Sequence, residues 1–458
     1  MNLLLLLAAL LPWATSPVSA LSRVYVAVSV FSIEMQVATV AGMGTFRSLV
    51  AINAVVAVLL IAWQATRGMA FQGWTSALRF PAPRPALLLL GGAVLALNVS
   101  LPLEAADPYH LDRVAQIERL GTLGYDLAAD PKVNILGWIY ELALADARQI
   151  PLVGDGLVRL HGLFGLLLYG LALAAAQSWL RPGPSRWPLA ALLVIPAVFH
   201  QFVLIKNDLF AAAPSFVVLA WLVARADRGS WKESVWGGWL IGLAVACKLT
   251  SLPLAVIMIA GVVIAQRGRD WRPLAGLAVG GGAGAIAGGL VFTLFENARW
   301  YGDILASAPV AAIGDRPSGL ADAAANVARF GVSLFDLGLV TPTLWPNRGG
   351  WGGTFGLPFA WAVVVLVLHY RSAREARWAL WIAAAHFLMF AATFPDADLT
   401  QRLALAPALL VVAVAVHLLD RGEKYARLAR MALVPVLVFS GAQLLRSAAL
   451  YLARAGVT

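Results

Sequence analysis

Charged and strongly polar side chains are scarce in this chain, and they gather at a few places. Glu104 and Asp107 open the stretch EAADPYHLDR and are followed by Tyr109 and His110. Lys206, Asn207 and Asp208 stand together in HQFVLIKNDLFAA, just behind His200 and Gln201. Lys248 interrupts GLAVACKLTSL. Glu296, Asn297, Arg299, Tyr301 and Asp303 fill FENARWYGD, and Asp396, Asp398 and Arg402 fill FPDADLTQR. A carboxylate placed against a hydroxyl can act as a general base. A fixed Lys or Arg can hold a phosphate and stabilise the charge that develops on it. Acids and cations together suit a reaction that brings a hydroxyl acceptor to an anionic donor.

Each of these residues also has a purely structural use. Asp107 precedes Pro108, and an Asp-Pro pair starts a helix with Asp as the cap and Pro in the first turn. Asn207-Asp208 can be a turn and cap. Lys248 can snorkel, and Arg402 can anchor a helix end at the interface. Against this, ionisable groups at membrane depth are costly. A short turn also has no need of His200, Gln201, Lys206 and Asp208 at one end.

The elements that must position these groups are apolar helices. Of 458 residues, 60% are hydrophobic and 13% charged, against roughly 25% charged in a soluble domain. Repeated apolar runs of about 17 residues or more read as membrane spans. They fall near 2–20, 24–45, 48–66, 86–102, 156–180, 187–204, 207–225, 234–248, 250–266, 273–295, 352–369, 377–394, 403–419 and 430–452. The expected fold is an all-α polytopic transmembrane bundle of about 13 spans. The N-terminal run has a small-residue VSA but no basic start, so it reads as a retained helix rather than a signal. The pattern divides the chain into N-terminal membrane helices (1–85), a core with its external loops (86–430) and a C-terminal helix (431–458).

Lys and Arg set the orientation. The loops holding Arg67/Arg79/Arg84, Arg181/Arg186, Arg225/Arg228/Lys232, Arg267/Arg269/Arg272, Arg371/Arg374/Arg377 and Arg421/Lys424/Arg427/Arg430 are basic and belong in the cytoplasm. The intervening loops, 103–155, about 205–208, about 248–250, 296–351 and 395–402, then face outward, so all the polar clusters share one side. Loop 103–155 is acidic. Its YHLDRVAQIERL segment sets Leu111, Val114, Ile117 and Leu120 on one face, which predicts an amphipathic surface helix. A second is expected within LADAAANVARFGVSLFDLGLV. WPNRGGWGGTFGLP reads as a covering loop or an interfacial anchor. AVGGGAGAIAGG lies within a span and reads as a close-packing face.

Several classes are excluded. The net charge of +10 is spread over short loops without an aromatic-basic stripe, so no nucleic-acid partner is expected. The single cysteine, Cys247, allows no internal disulfide and reads as a packing residue. No Walker, HExxH, GxSxG or EF-hand pattern occurs.

The order of DPYHLDRV, KNDLFAA, GLAVACKLTSL, an Asn/aromatic-Gly segment and QRLALAPAL resembles the bacterial membrane glycosyltransferases of the GT-C class. These include the protein mannosyltransferase-like and aminoarabinose transferase-like proteins. The resemblance covers about residues 86–420, with Leu403 where an aromatic residue is usual and with additional spans before residue 86. It implies an inverting enzyme that moves a sugar from a polyprenyl-phosphate carrier to a lipid, glycan or protein hydroxyl. The active site would face outward from the bacterial cytoplasmic membrane. By resemblance, Asp107 is the general base, Glu104 its substitute and Asp208 the second acid. Lys206, Lys248 and Arg402 contact the carrier phosphate. Tyr109, His110, Asn207, Glu296, Arg299 and Tyr301 complete the expected substrate site. No cofactor is required, although converging acids would accommodate Mg²⁺ or Mn²⁺.

The alternatives are a polytopic transporter or lipid-carrier flippase, and a non-catalytic assembly subunit. Transporters often carry internal repeats and charge near mid-membrane. Here no repeat is evident, and the polar groups gather at helix ends.

Overall fold

The computed structural model describes residues 1–43, 46–69, 84–103, 108–126, 128–129, 133–134, 137–180, 187–225, 227, 229–266, 270–306, 319–334, 355–393, 401–419 and 425–454. Every regular element among them is a helix. Among the described residues, eight helices are long and apolar enough to cross a membrane, or nine if the bent pair Arg272–Ala287 and Leu290–Tyr301 forms one span. The chain is an integral membrane protein.

Fewer helices reach spanning length than the apolar runs suggested, because several runs fold as short or broken pieces. The 187–204 run becomes the turn Trp187–Leu189 and the helices Ala190–Leu193 and Pro196–Val203. Pro196 has no amide hydrogen and disfavours helix in the residue before it, so the helix must restart there. The first run divides in the same way. Asn2–Leu10 ends in a 3-10 turn through Pro12, and Ser16 caps a new helix, Pro17–Val40, by accepting from Ser19 N at 3.1 Å. The Arg84–Ser100 and Gly356–Leu368 helices are apolar but short.

Burial separates the centre of the bundle from its rim. The Asp208–Arg225 and Arg402–Leu419 spans are 83% and 89% buried, whereas Phe46–Thr66 and Ala426–Ala453 are each 22% buried and turn their apolar faces outward. The two central helices begin at residues Asp208 and Arg402, so the charged groups start from the most rigidly packed parts of the chain.

Glycine permits two close approaches that shape this frame. The Gly-rich segment forms the Arg272–Ala287 helix, which lies backbone to backbone against Trp231–Cys247. A Cβ on Gly280 would stand 2.0 Å from Val235 O, and one on Gly284 would stand 2.1 Å from Trp239 O. In return, Cβ atoms on Gly238 and Gly242 would stand 2.3 and 2.2 Å from Leu277 O and Gly281 O. Small residues at such a seam give membrane helices their packing energy. The second approach is at the bend. Gly289 has φ +84°, and a Cβ there would lie 2.0 Å from the Trp138 ring. Trp138 fills the 57° break and donates from Nε1 to Thr293 Oγ1 at 3.1 Å.

Both amphipathic loop helices are present, as Pro108–Leu120 and Leu320–Ser333. The first buries Val114 and Ile117 of its expected face and packs Leu111 against the core, but its inward face is shifted toward polar residues. His110, Arg113, Val114, Gln116 and Ile117 are buried, while Leu120 is exposed. Its inner face is therefore partly polar, and it packs on protein rather than resting on lipid alone.

Gly284→Leu is expected to destabilise the protein by roughly 1–3 kcal/mol through overpacking, seen as a lower Tm in detergent. Gly282→Leu, with nothing within 4 Å of its Cβ position, should leave the Tm near that of the unmodified protein.

Candidate active site

Breaks in the helical backbone bring the cations together. Lys248 has an extended backbone (φ −155°, ψ 113°) and ends the Trp231–Cys247 helix. Leu204 (φ −108°, ψ 148°) ends Pro196–Val203 just before Lys206. Arg402 lies in the 3-10 turn Gln401–Ala404 that leads into Leu405–Leu419. Asp208 is the first residue of its helix, where the macrodipole favours a carboxylate.

Asp208 is the hub. Its side chain is 1% exposed, against 20% for Lys248 and 25% for Arg402, so the cations and not the acid reach outward. Lys248 Nζ donates to Asp208 Oδ1. Arg402 Nε donates to Oδ2 at 3.1 Å, and Gln201 Nε2 donates to the same oxygen at 3.0 Å. Lys248 also donates to Asn207 Oδ1 at 3.0 Å. The Lys206 charge acts on Asp208 as well. A buried carboxylate needs this compensation, and with it becomes the pin that fixes both cations. Asn98 braces the adjoining segment, donating to Phe202 O at 2.8 Å and accepting from Gly162 N at 2.9 Å. The His200 ring meets the Tyr451 hydroxyl at 2.6 Å, which ties the C-terminal helix to the same end of the bundle.

Loop 103–155 packs against this hub. Gly137 lies so close to the end of the Trp231–Cys247 helix that a Cβ there would be 2.3 Å from Cys247 O. The Ile139–Arg148 helix then carries Tyr140 and Glu141. Glu141 Oε1 stands 2.5 Å from His110 Nδ1, with both side chains buried. Burial raises the pKa of the Tyr140 phenol, and the nearby carboxylates of Glu141 and Asp208 raise it further. The loop pair and the hub therefore act on the same ring.

A second group is centred on the Leu290–Tyr301 helix. Tyr125 donates to Asn297 Oδ1 at 2.6 Å, and Asn134 Nδ2 donates to the Tyr301 hydroxyl at 3.3 Å. Glu296 accepts from Trp300 Nε1 at 2.8 Å and pairs with Arg299 at 3.5 Å, both on its own helix. Arg113 is buried beside this group and donates to Gln116 Oε1 at 2.8 Å. Burial lowers its guanidinium pKa to about 10, against the opposing pull of Tyr125, Glu141 and Tyr301.

The structure thus unites Asn207, Asp208, Lys248 and Arg402, with the Lys206 charge acting on Asp208 from nearby. It places Glu296, Arg299 and Tyr301 in the second group and pairs His110 with Glu141. Glu104, Asp107, Asp396 and Asp398 lie outside the described residues, and Tyr109 is placed only as a backbone position in its helix. Glu141, Tyr125, Asn134 and Tyr451 were not singled out from sequence. Glu141 looked like one more acid in an acidic loop, and Tyr451 like part of a terminal span. Among the described residues, no three His, Cys, Asp or Glu side chains converge as a metal-ligand set.

An all-helical membrane protein with a buried ion-pair hub at its helix ends is the class these features define. The chain belongs to glycosyltransferase family 87, whose family model matches residues 157–394. It is therefore a membrane glycosyltransferase, acting on a sugar donor and an acceptor. No curated protein and no solved structure matches the chain. The matched segment contains Lys206, Asn207, Asp208, Lys248, Glu296, Arg299 and Tyr301, and excludes loop 103–155 and Arg402.

Asp208→Ala leaves Lys248 and Arg402 without their shared anion. The loss should approach the lower end of the roughly 3–5 kcal/mol seen for broken buried pairs, because both cations keep some solvent contact. A Tm in detergent equal to that of the unmodified protein would contradict the hub.

Proposed function

We propose that this glycosyltransferase is an inverting enzyme of the GT-C type. It moves a sugar from a polyprenyl-phosphate donor to a hydroxyl of a lipid, glycan or protein acceptor. It works at the outer face of the bacterial cytoplasmic membrane. The observation that carries this reading is the pinning of Lys248 and Arg402 by Asp208, with both cations partly exposed and the acid hidden.

In such a transfer the acceptor oxygen bonds to the anomeric carbon while the carbon–phosphate oxygen bond breaks. The electron pair leaves with the phosphate, and the acceptor proton passes to a base. Charge grows on the leaving phosphate, and fixed cations in a water-poor site stabilise it without reorganising. Lys248 and Arg402 suit that task, with Lys206 adding its charge. Both oxygens of Asp208 are engaged by these cations and by Gln201, so its role is to hold the donor site. Asp107 is assigned as the acceptor base, with Glu104 as the weaker candidate. Lys248 and Arg402 already bring positive charge to the phosphate.

The outward orientation is supported by charge. At other helix ends of the bundle, Arg374 pairs with Asp227 at 2.9 Å and Arg225 stacks on Trp179 at 5.1 Å. These residues belong to the basic loops expected in the cytoplasm. A carrier whose lipid tail remains in the bilayer also explains why the hub lies at the ends of spans.

With a labelled polyprenyl-phosphate sugar and the purified protein, Asp107→Asn should reduce transfer by about 10²–10⁴-fold. Arg402→Gln should reduce kcat/KM for the donor by about 10²-fold or more. Near-normal turnover by a folded Asp107→Asn protein would remove it as the base, and near-normal turnover by Arg402→Gln would remove the phosphate role.

A further inference from the structure

A seat for the donor phosphate must adjoin a place for the sugar that the phosphate carries. Pockets for such groups are lined by aromatic faces with a few placed polar atoms. One aromatic pair borders the hub. Phe210 stands two residues beyond Asp208 on the same helix, and its ring centre lies 5.8 Å from that of Tyr140. Both side chains are half-buried, so each keeps an open surface. Tyr140 is also within electrostatic reach of the Asp208 carboxylate.

The pair is held from both sides. Tyr25 donates to Phe210 O at 2.7 Å, and its ring centre lies 5.3 Å from that of Phe210. The His110 ring meets Tyr140 edge-on at 6.3 Å, and Glu141 holds His110. Three residues before Tyr140, Gly137 is seated against Cys247 O, next to Lys248. Other tyrosines of the packed interior spend their hydroxyls on the protein: Tyr25 on Phe210 O, Tyr125 on Asn297 and Tyr169 on Leu192 O. The Tyr140 hydroxyl differs. It has no hydrogen-bond partner among the described residues and is not enclosed.

We propose that Tyr140 and Phe210 form the sugar subsite of the donor: their rings cover one face of the sugar, and the Tyr140 hydroxyl bonds to one of its hydroxyls. This rests on the reading of Lys248 and Arg402 as the phosphate seat. The isoprenoid tail fits the place less well. An apolar chain would leave the phenol hydroxyl unpaired, and Tyr140 belongs to the Ile139–Arg148 helix of the loop layer rather than to a lipid-facing span. A phenol combines an apolar face with a polar tip, which matches the C–H surfaces and hydroxyls of a sugar. A site that bonds a particular hydroxyl also discriminates against a sugar that lacks it.

The test compares two lipids by ³¹P NMR titration of the purified protein. One is a short-chain polyprenyl monophosphate. The other is the same lipid carrying the sugar that the enzyme transfers, chosen from a panel of hexoses and pentoses. Tyr140→Phe, which keeps the ring, should weaken binding of the sugar-bearing lipid about 3- to 10-fold. Tyr140→Ala should weaken it about tenfold or more. Both variants should bind the bare monophosphate within about twofold of the unmodified protein, which also reports that the hub is folded. Among monodeoxy forms of the sugar, one should bind the unmodified protein more weakly but bind Tyr140→Phe as well as the full sugar does, because the hydroxyl and the phenol act as a pair. Unchanged binding of the sugar-bearing lipid by Tyr140→Phe, or an equal loss for both lipids, would overturn the sugar subsite alone. Binding of neither lipid by the unmodified protein would remove the donor reading and the subsite with it.

Discussion

The arrangement depends on one buried carboxylate. Asp208 is almost fully enclosed, and an ionised acid in that setting is tolerable only with matched positive charge and hydrogen bonds. Lys248 and Arg402 supply the charge from distant parts of the sequence, and Gln201 supplies a further bond. Satisfying Asp208 therefore requires the ends of three helical segments to meet. Lys248 reaches the meeting point because its helix stops there in extended backbone, and Arg402 because it stands in the 3-10 turn just before its helix begins. Irregular backbone near a membrane must be sheltered or must line a polar site, and here it surrounds the hub.

The rest of the bundle keeps that meeting point rigid. The two helices that begin at Asp208 and near Arg402 are the most buried spans, so their first residues have little freedom. The glycine seam between Trp231–Cys247 and Arg272–Ala287 fixes the helix that ends at Lys248. The loop layer is locked to the same frame where Trp138 fills the bend at Gly289. Function and packing are thus linked: the glycines that allow close approach set the position of the cation, and the bend made by Gly289 receives the loop that follows the proposed base.

Much of this was legible in the sequence because membrane burial leaves strong signals. Hydropathy located the helices, and the alternation of basic loops predicted that Asp208, Lys248 and Arg402 would share one end. The Gly-rich run is readable as a packing face because it lies within a span. Other features were hidden for physical reasons. Hydropathy does not register that Pro12 ends the first helix after Asn2–Leu10, or that Pro196 breaks the 187–204 run into pieces too short to span. Nor does it show that Asp208 spends both oxygens on cations, since a carboxylate's partners depend on tertiary contact. The stripe expected on the Pro108–Leu120 helix holds at Val114 and Ile117, but Leu120 is exposed and does not close that face. Instead its inward face includes His110, Arg113 and Gln116, because polar partners such as Glu141 and Asn134 wait there. Nothing in the sequence distinguishes Glu141 from its acidic neighbours; the fold alone sets His110 against it.

Asp208 holds Lys248 and Arg402 as the proposed seat for the phosphate of a lipid carrier. The most direct measurement is a titration of the purified protein with a short-chain polyprenyl monophosphate, followed by ³¹P NMR. Binding should saturate and should weaken about tenfold or more in Lys248→Gln and in Arg402→Gln, as expected for loss of one charge-assisted hydrogen bond. Equal affinity in the unmodified protein and in both variants would contradict it.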